Sequence, residues 1–148
     1  MGFGSGTVIY STAKETVILT CAHIFKIEGN RQLHPSQFNR RIQVDLFEEQ
    51  PTNTGQGTLQ VRFANETYEG VAIDYDFGLD VGLIKIRPGR RLPASQVVPA
   101  TWQPKQRMRM HTVGCSEGHD ATAWSTVILN PQMRGLTGNQ SYEAIECM

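Results

Sequence analysis

The sequence predicts an all-β fold, and three observations carry that prediction. No long window of the 148 residues repeats apolar positions at i, i+3, i+4 and i+7, so helical periodicity is almost missing. Short runs rich in β-branched residues recur in its place. Clusters of Gly, Pro and Asn separate those runs. Many short strands point to a barrel or a sandwich, because those architectures dispose of exposed sheet edges.

Taken in order, strands are expected over residues 6–10 and 16–21. The second belongs to the apolar run Val17-Ile18-Leu19-Thr20-Cys21-Ala22-His23, which a histidine closes. One helical turn is expected over 23–27. Strands follow at 41–47 and 58–63, with 50–57 as the hairpin loop between them, then at 69–74 and 81–86. The last of these lies in Leu79-Asp80-Val81-Gly82-Leu83-Ile84-Lys85-Ile86, an apolar run near whose head stands an aspartate. Residues 88–104 lack periodicity and hold Pro88, Pro93, Pro99 and Pro104, four of the seven prolines. They read as a connector over the surface, separating a first β unit (1–87) from a shorter second one (105–148) with strands at 107–114 and 121–129.

Composition excludes some functions. Fourteen Lys and Arg balance fourteen Asp and Glu, for a formal charge of +0 and a pI near 6.9. Nothing there marks a binder of nucleic acid or of a membrane surface. Lys105, Arg107 and Arg109 alternate with Met108 and Met110, which reads as a solvated strand face. No stretch approaches the roughly 20 apolar residues needed to span a bilayer, and the N-terminal residues lack the pattern of a secretion signal. Cys21, Cys115 and Cys147 form no C-x-x-C pair and allow at most one disulfide; Cys115 with Cys147 is the pairing suggested by the lack of other partners in the second unit. Cys21-Ala22-His23 has two donor side chains, but no second pair of His or Cys stands at zinc-site spacing, so neither a metal nor another cofactor is expected.

His23 and Asp80 are the residues with chemistry to do. A histidine ending a buried strand is held by the sheet yet can face a cleft, and a neutral imidazole can take a proton from a nucleophile. A carboxylate beside it can fix its tautomer and stabilise the imidazolium that forms. Asp74 and Asp76 compete for that role, but Asp80 alone opens the apolar strand and is expected to be buried and charged there. His111, on a strand, and His34, before Pro35, read as surface groups. His119 and Asp120 are sequence neighbours whose side chains diverge in an extended chain. Gly114-Cys115-Ser116-Glu117-Gly118 fits the G-x-S-x-G elbow of α/β-hydrolases, but β-like sequence follows where the elbow needs a helix. Ser5 precedes the histidine and is set aside as a nucleophile.

Three segments together resemble the trypsin-like serine peptidases, in particular their bacterial branch: Gly2-Phe3-Gly4-Ser5-Gly6-Thr7-Val8-Ile9, then Leu19-Thr20-Cys21-Ala22-His23, then Asp80-Val81-Gly82-Leu83-Ile84-Lys85-Ile86. In that family a glycine-serine-glycine strand precedes a T-x-A-H motif, and a D-[IV]-[AG]-L-[LI]-[KR] strand follows. The resemblance covers most of residues 2–86. It implies two packed antiparallel β-barrels, the second incomplete here, with His23 as general base, Asp80 as its orienting partner and the active site in the cleft between barrels. It further implies a hydrolase acting on protein or peptide substrates, outside the cytoplasm.

The family's G-x-S-G-G nucleophile turn, its oxyanion hole and its specificity pocket would lie after Cys147, and its first strand before Gly2. The chain is therefore expected to be a fragment without peptidase activity of its own. Turnover of a peptide library, blocked by a serine-directed covalent inhibitor, would overturn that expectation. The competing expectation is a non-catalytic peptidase homologue that binds peptides or proteins; a G-x-S-G-G turn encoded beyond Met148 favours the enzyme, and a natural stop codon the binding module.

Overall fold

Period-two burial positions the core of the first unit. In the computed structural model, which describes residues 3–28, 31–32, 40–50, 60–115, 122–137 and 140–147, strand β7 (Val81–Ile86) buries Gly82, Ile84 and Ile86 and turns Val81, Leu83 and Lys85 outward. β2 (Thr16–Thr20) buries Thr16 and Ile18 in the same rhythm. The two strands pair antiparallel, from Thr16 opposite Ile86 to Thr20 opposite Gly82. Ile18, Ala22, Phe25, Ile84, Ile86 and Leu92 form the buried cluster, with Val8, Ile42, Val44 and Ala72 packed against it.

The elements, in chain order, are β1 (Thr7–Ser11), β2, a 3-10 turn (Ala22–Lys26), the two-residue strands β3 (Ile27–Glu28) and β4 (Arg31–Gln32), then β5 (Arg41–Gln50), β6 (Gln60–Asp76), β7, β8 (Arg109–Gly114), β9 (Thr122–Thr137) and β10 (Gln140–Cys147). The molecule is mostly antiparallel β, as the sequence predicts. Its main sheet runs β1-β2-β7-β6-β9-β10, with β5 on β6 and β8 on β9. Among the described residues only Gln60 opposite Thr122 pairs β6 with β9, so the sheet falls into two antiparallel runs, β1-β2-β7-β6-β5 and β8-β9-β10. Among the described residues neither run closes into a barrel. No described helix is long and apolar enough to cross a membrane.

Several elements differ from expectation. Residues 60–63 of the expected strand 58–63 and the segment 69–74 belong to a single strand, β6, because β5 pairs along it from Arg41–Val71 to Gln50–Gln60 through one bulge, carrying it across the polar stretch at Asn65-Glu66; residues 58–59 lie outside the described residues. The strand expected from 107 begins at Arg109. Arg107 has a left-handed φ of 68° and the amide of Met108 donates to the Lys105 carbonyl, so Lys105 and Arg107 lie in an exposed turn rather than on a strand face. β9 continues past residue 129 through Pro131. The irregular register between Ala144 and Glu146 lies opposite Pro131 and Gln132, where a residue without an N–H can be accommodated. β10 itself was not expected. Of the loop expected at 50–57, Gln50 ends β5 and 51–57 lie outside the described residues, as do His34, Ser116, His119, Asp120 and the side chain of Cys147.

Residues 92–95 are tied to β1. Buried Ser11 shares a hydrogen bond of 2.7 Å with Thr16 Oγ1, and its Oγ accepts the amide of Leu92 at 2.8 Å. That bond seats Leu92 in the core, and the amide of Ser95 donates to the Val8 carbonyl at 2.8 Å.

Candidate functional site

The end of β2 and the start of β7 meet because Thr20 pairs with Gly82, which brings the residues just past Thr20 close to those just before Gly82. Past Thr20, whose hydroxyl donates to the Ser5 carbonyl at 2.9 Å, the chain enters the 3-10 turn. Three residues per turn put side chains i and i+3 on one face. Ala22 and Phe25 therefore share the buried face, and His23 and Lys26 the outer one. A cluster of rings steadies this corner: Phe25 meets Tyr75 edge-on at 6.3 Å, Tyr75 lies 4.7 Å from Phe77, and Lys26 Nζ sits 3.9 Å above the Phe77 ring.

Asp80 approaches from the opposite strand. The turn before it is capped by Asp76, whose Oδ1 accepts the Leu79 amide at 3.0 Å, while Asp74 Oδ1 accepts the amide of Tyr75. Both rivals of Asp80 thus serve the local backbone. Asp80 has a left-handed φ of 56°, an uncommon conformation for a residue with a Cβ, and from it the strand departs.

The Asp80 carboxylate holds His23 by two bonds. Oδ1 accepts the His23 backbone N–H at 2.8 Å, and Oδ2 stands 2.8 Å from Nδ1. With Oδ2 as acceptor, Nδ1 carries the proton and Nε2 keeps its lone pair. Among the described residues no hydroxyl bonds Nε2, and the His23 side chain is 53% exposed. Asp80 is not buried as expected: its side chain is 35% exposed, because it stands at the rim of β7 just outside the core.

Two relationships escaped sequence reasoning. Cys21 stands with His23 and Asp80 so that one donor atom from each lies within 4.8 Å of the other two. Burial, and then the Asp80 charge, raise the pKa of the Cys21 thiol. The C-x-H spacing is visible in the sequence and Asp80 is expected beside His23, but nothing in the pattern turns the Cys21 thiol toward them. Ser5 Oγ accepts the Cys115 amide at 2.8 Å, tying the glycine-rich start to the end of β8; no local pattern announces such a bond. His111 is exposed on β8 and bonds Ser125 Oγ across the strand pair at 3.2 Å.

No family model, curated protein or solved structure matches the chain.

Proposed function

We propose that this chain supplies the general base and its orienting partner to a trypsin-like serine endopeptidase. His23 is the base and Asp80 the orienter; β1, β2, β5, β6 and β7 belong to one antiparallel barrel and β8 to β10 to a second. One observation carries the reading: both oxygens of Asp80 grip His23, one at its backbone N–H and one at Nδ1, leaving Nε2 accessible. Two incidental polar neighbours have no need of that double hold.

The chemistry follows from the tautomer. As a serine Oγ attacks the scissile carbonyl, its proton passes to His23 Nε2, and the carbonyl π pair moves onto oxygen. The imidazolium is stabilised by Asp80 Oδ2, which stays ionised. Nε2 then returns the proton to the departing amine as the C–N bond breaks, leaving an acyl-enzyme. Water repeats the cycle and frees the acid. The ordered motifs around Ser5, His23 and Asp80 support the same reading.

The test is to express the complete reading frame that encodes this chain, including whatever follows Met148, and to assay a peptide library together with a fluorophosphonate probe. The expected result is covalent labelling and turnover that His23→Ala abolishes. Labelling absent from the complete protein, or turnover unchanged by His23→Ala, overturns the proposal.

A further inference from the structure

We propose that Cys21, His23 and Asp80 form a three-donor binding site for Zn²⁺. Their thiol sulfur, imidazole nitrogen and carboxylate oxygen lie within 4.8 Å of one another. In a tetrahedral zinc site, with bonds of about 2.0–2.3 Å, donor atoms stand roughly 3.3–3.7 Å apart. The trio is thus within a short side-chain adjustment of ligand geometry. Three protein donors with a fourth position left to water is the arrangement of an open zinc site. A mixed sulfur, nitrogen and oxygen set favours zinc over magnesium or calcium, which take oxygen donors.

The scaffold supports this assignment. Cys21 and His23 flank buried Ala22 at the point where β2 becomes the 3-10 turn, so they are held two residues apart on a fixed corner. Asp80 is set opposite them by the pairing of Thr20 with Gly82 and by the bond from the His23 amide to Oδ1. That bond does not use Oδ2, which faces Nδ1 at 2.8 Å and is released to the ion when the Nδ1 proton moves to Nε2. The exposed His23 side chain leaves an entry path from solvent.

Binding displaces one proton to the medium and moves another. The Cys21 S–H bond breaks and its proton passes to buffer. The metal takes the Nδ1 lone pair as the Nδ1 proton transfers to Nε2, so the imidazole stays neutral. In that tautomer Nε2 is a donor and cannot accept a proton. Zinc would therefore silence His23 as a base; this consequence rests on the peptidase reading, whereas the binding itself does not.

Titration of the intact chain with Co²⁺ as spectroscopic probe tests the site without substrate. The expected result is saturable 1:1 binding with thiolate-to-cobalt charge-transfer absorption, reversed by Zn²⁺ and retained in Cys115→Ser. Cys21→Ser should remove that absorption, and Asp80→Asn should weaken binding by about tenfold or more. Charge transfer that persists in Cys21→Ser, or the lack of saturable binding, overturns the proposal. A measurement on the unaltered chain guards against misfolded variants: excess Zn²⁺ should slow alkylation of Cys21, read by peptide mass mapping, and alkylation at the metal-free rate also overturns it. Failure to bind zinc leaves the peptidase proposal standing, and absence of peptidase activity leaves the zinc site standing.

Discussion

A Cβ built on Gly82 would lie 2.6 Å from Cε2 of Phe25. Phe25 is 1% exposed and lies two residues past His23, as Gly82 lies two residues past Asp80. The missing side chain at 82 is therefore what lets the 3-10 turn settle against β7 and brings histidine and aspartate within bonding distance.

Gly82→Ala should push Phe25 out of its seat. Overpacking of this kind destabilises by roughly 1–3 kcal/mol, to be read from urea unfolding. It should also lengthen the His23–Asp80 contact, visible as a shift of the His23 ring resonances. Unchanged stability together with unchanged resonances would show that the corner has slack which the packing does not suggest.

Asp80→Asn removes an acceptor from Nδ1. A side-chain amide retains one oxygen, which can still take the His23 backbone N–H, but its NH₂ group would face Nδ1 and favour the tautomer with the proton on Nε2. In the complete reading frame kcat should fall on the order of 10⁴-fold, with KM little changed. Nitrogen-15 shifts of the ring should report the reversed tautomer.

Ser11→Ala strips a buried hydroxyl that serves both Thr16 and the amide of Leu92. An unsatisfied buried donor costs about 1–3 kcal/mol. Thermal unfolding should show that loss, and hydrogen exchange at the Leu92 amide should quicken far more than at amides of β9.

Glu66 sets a pH dependence. Its carboxylate accepts the Tyr68 phenol at 2.6 Å and bonds Arg90; the phenol, foremost, and the guanidinium hold its pKa below the usual carboxylate value, against burial, which pushes it up. A depressed folded-state pKa means that the carboxylate favours the fold above its ordinary value near 4.5, and that this contribution fades as pH falls through the lower folded value. Tyr68→Phe should move the Glu66 titration upward in a carboxyl carbon-13 NMR series, and so should Arg90→Gln.

The sequence made strands legible where they alternate around a buried face. β2 and β7 read directly because Ile18, Ile84 and Ile86 recur at period two between clear breaks. β6 did not, because the polar Asn65-Glu66 interrupts its apolar pattern, and pairing with β5 on either side of a bulge carries the strand past them. β10 was missed for a related reason: Pro131 argues for a chain break, and only the register irregularity opposite it shows how the pairing survives. At the site, the closeness of His23 and Asp80 could be anticipated from the strand ends that carry them. Cys21 could not be joined to Asp80, nor Ser5 to Cys115, because no run or motif in the sequence shows which way the Cys21 thiol turns or which strand end lies beside Ser5.

The left-handed backbone of Asp80 limits which residues can follow it there in a lineage. Asparagine and glycine tolerate that conformation, whereas a β-branched or bulky residue would be strained. Asparagine at this position would therefore keep the shape of the corner while losing its charge, so the charge can be removed without straining the backbone.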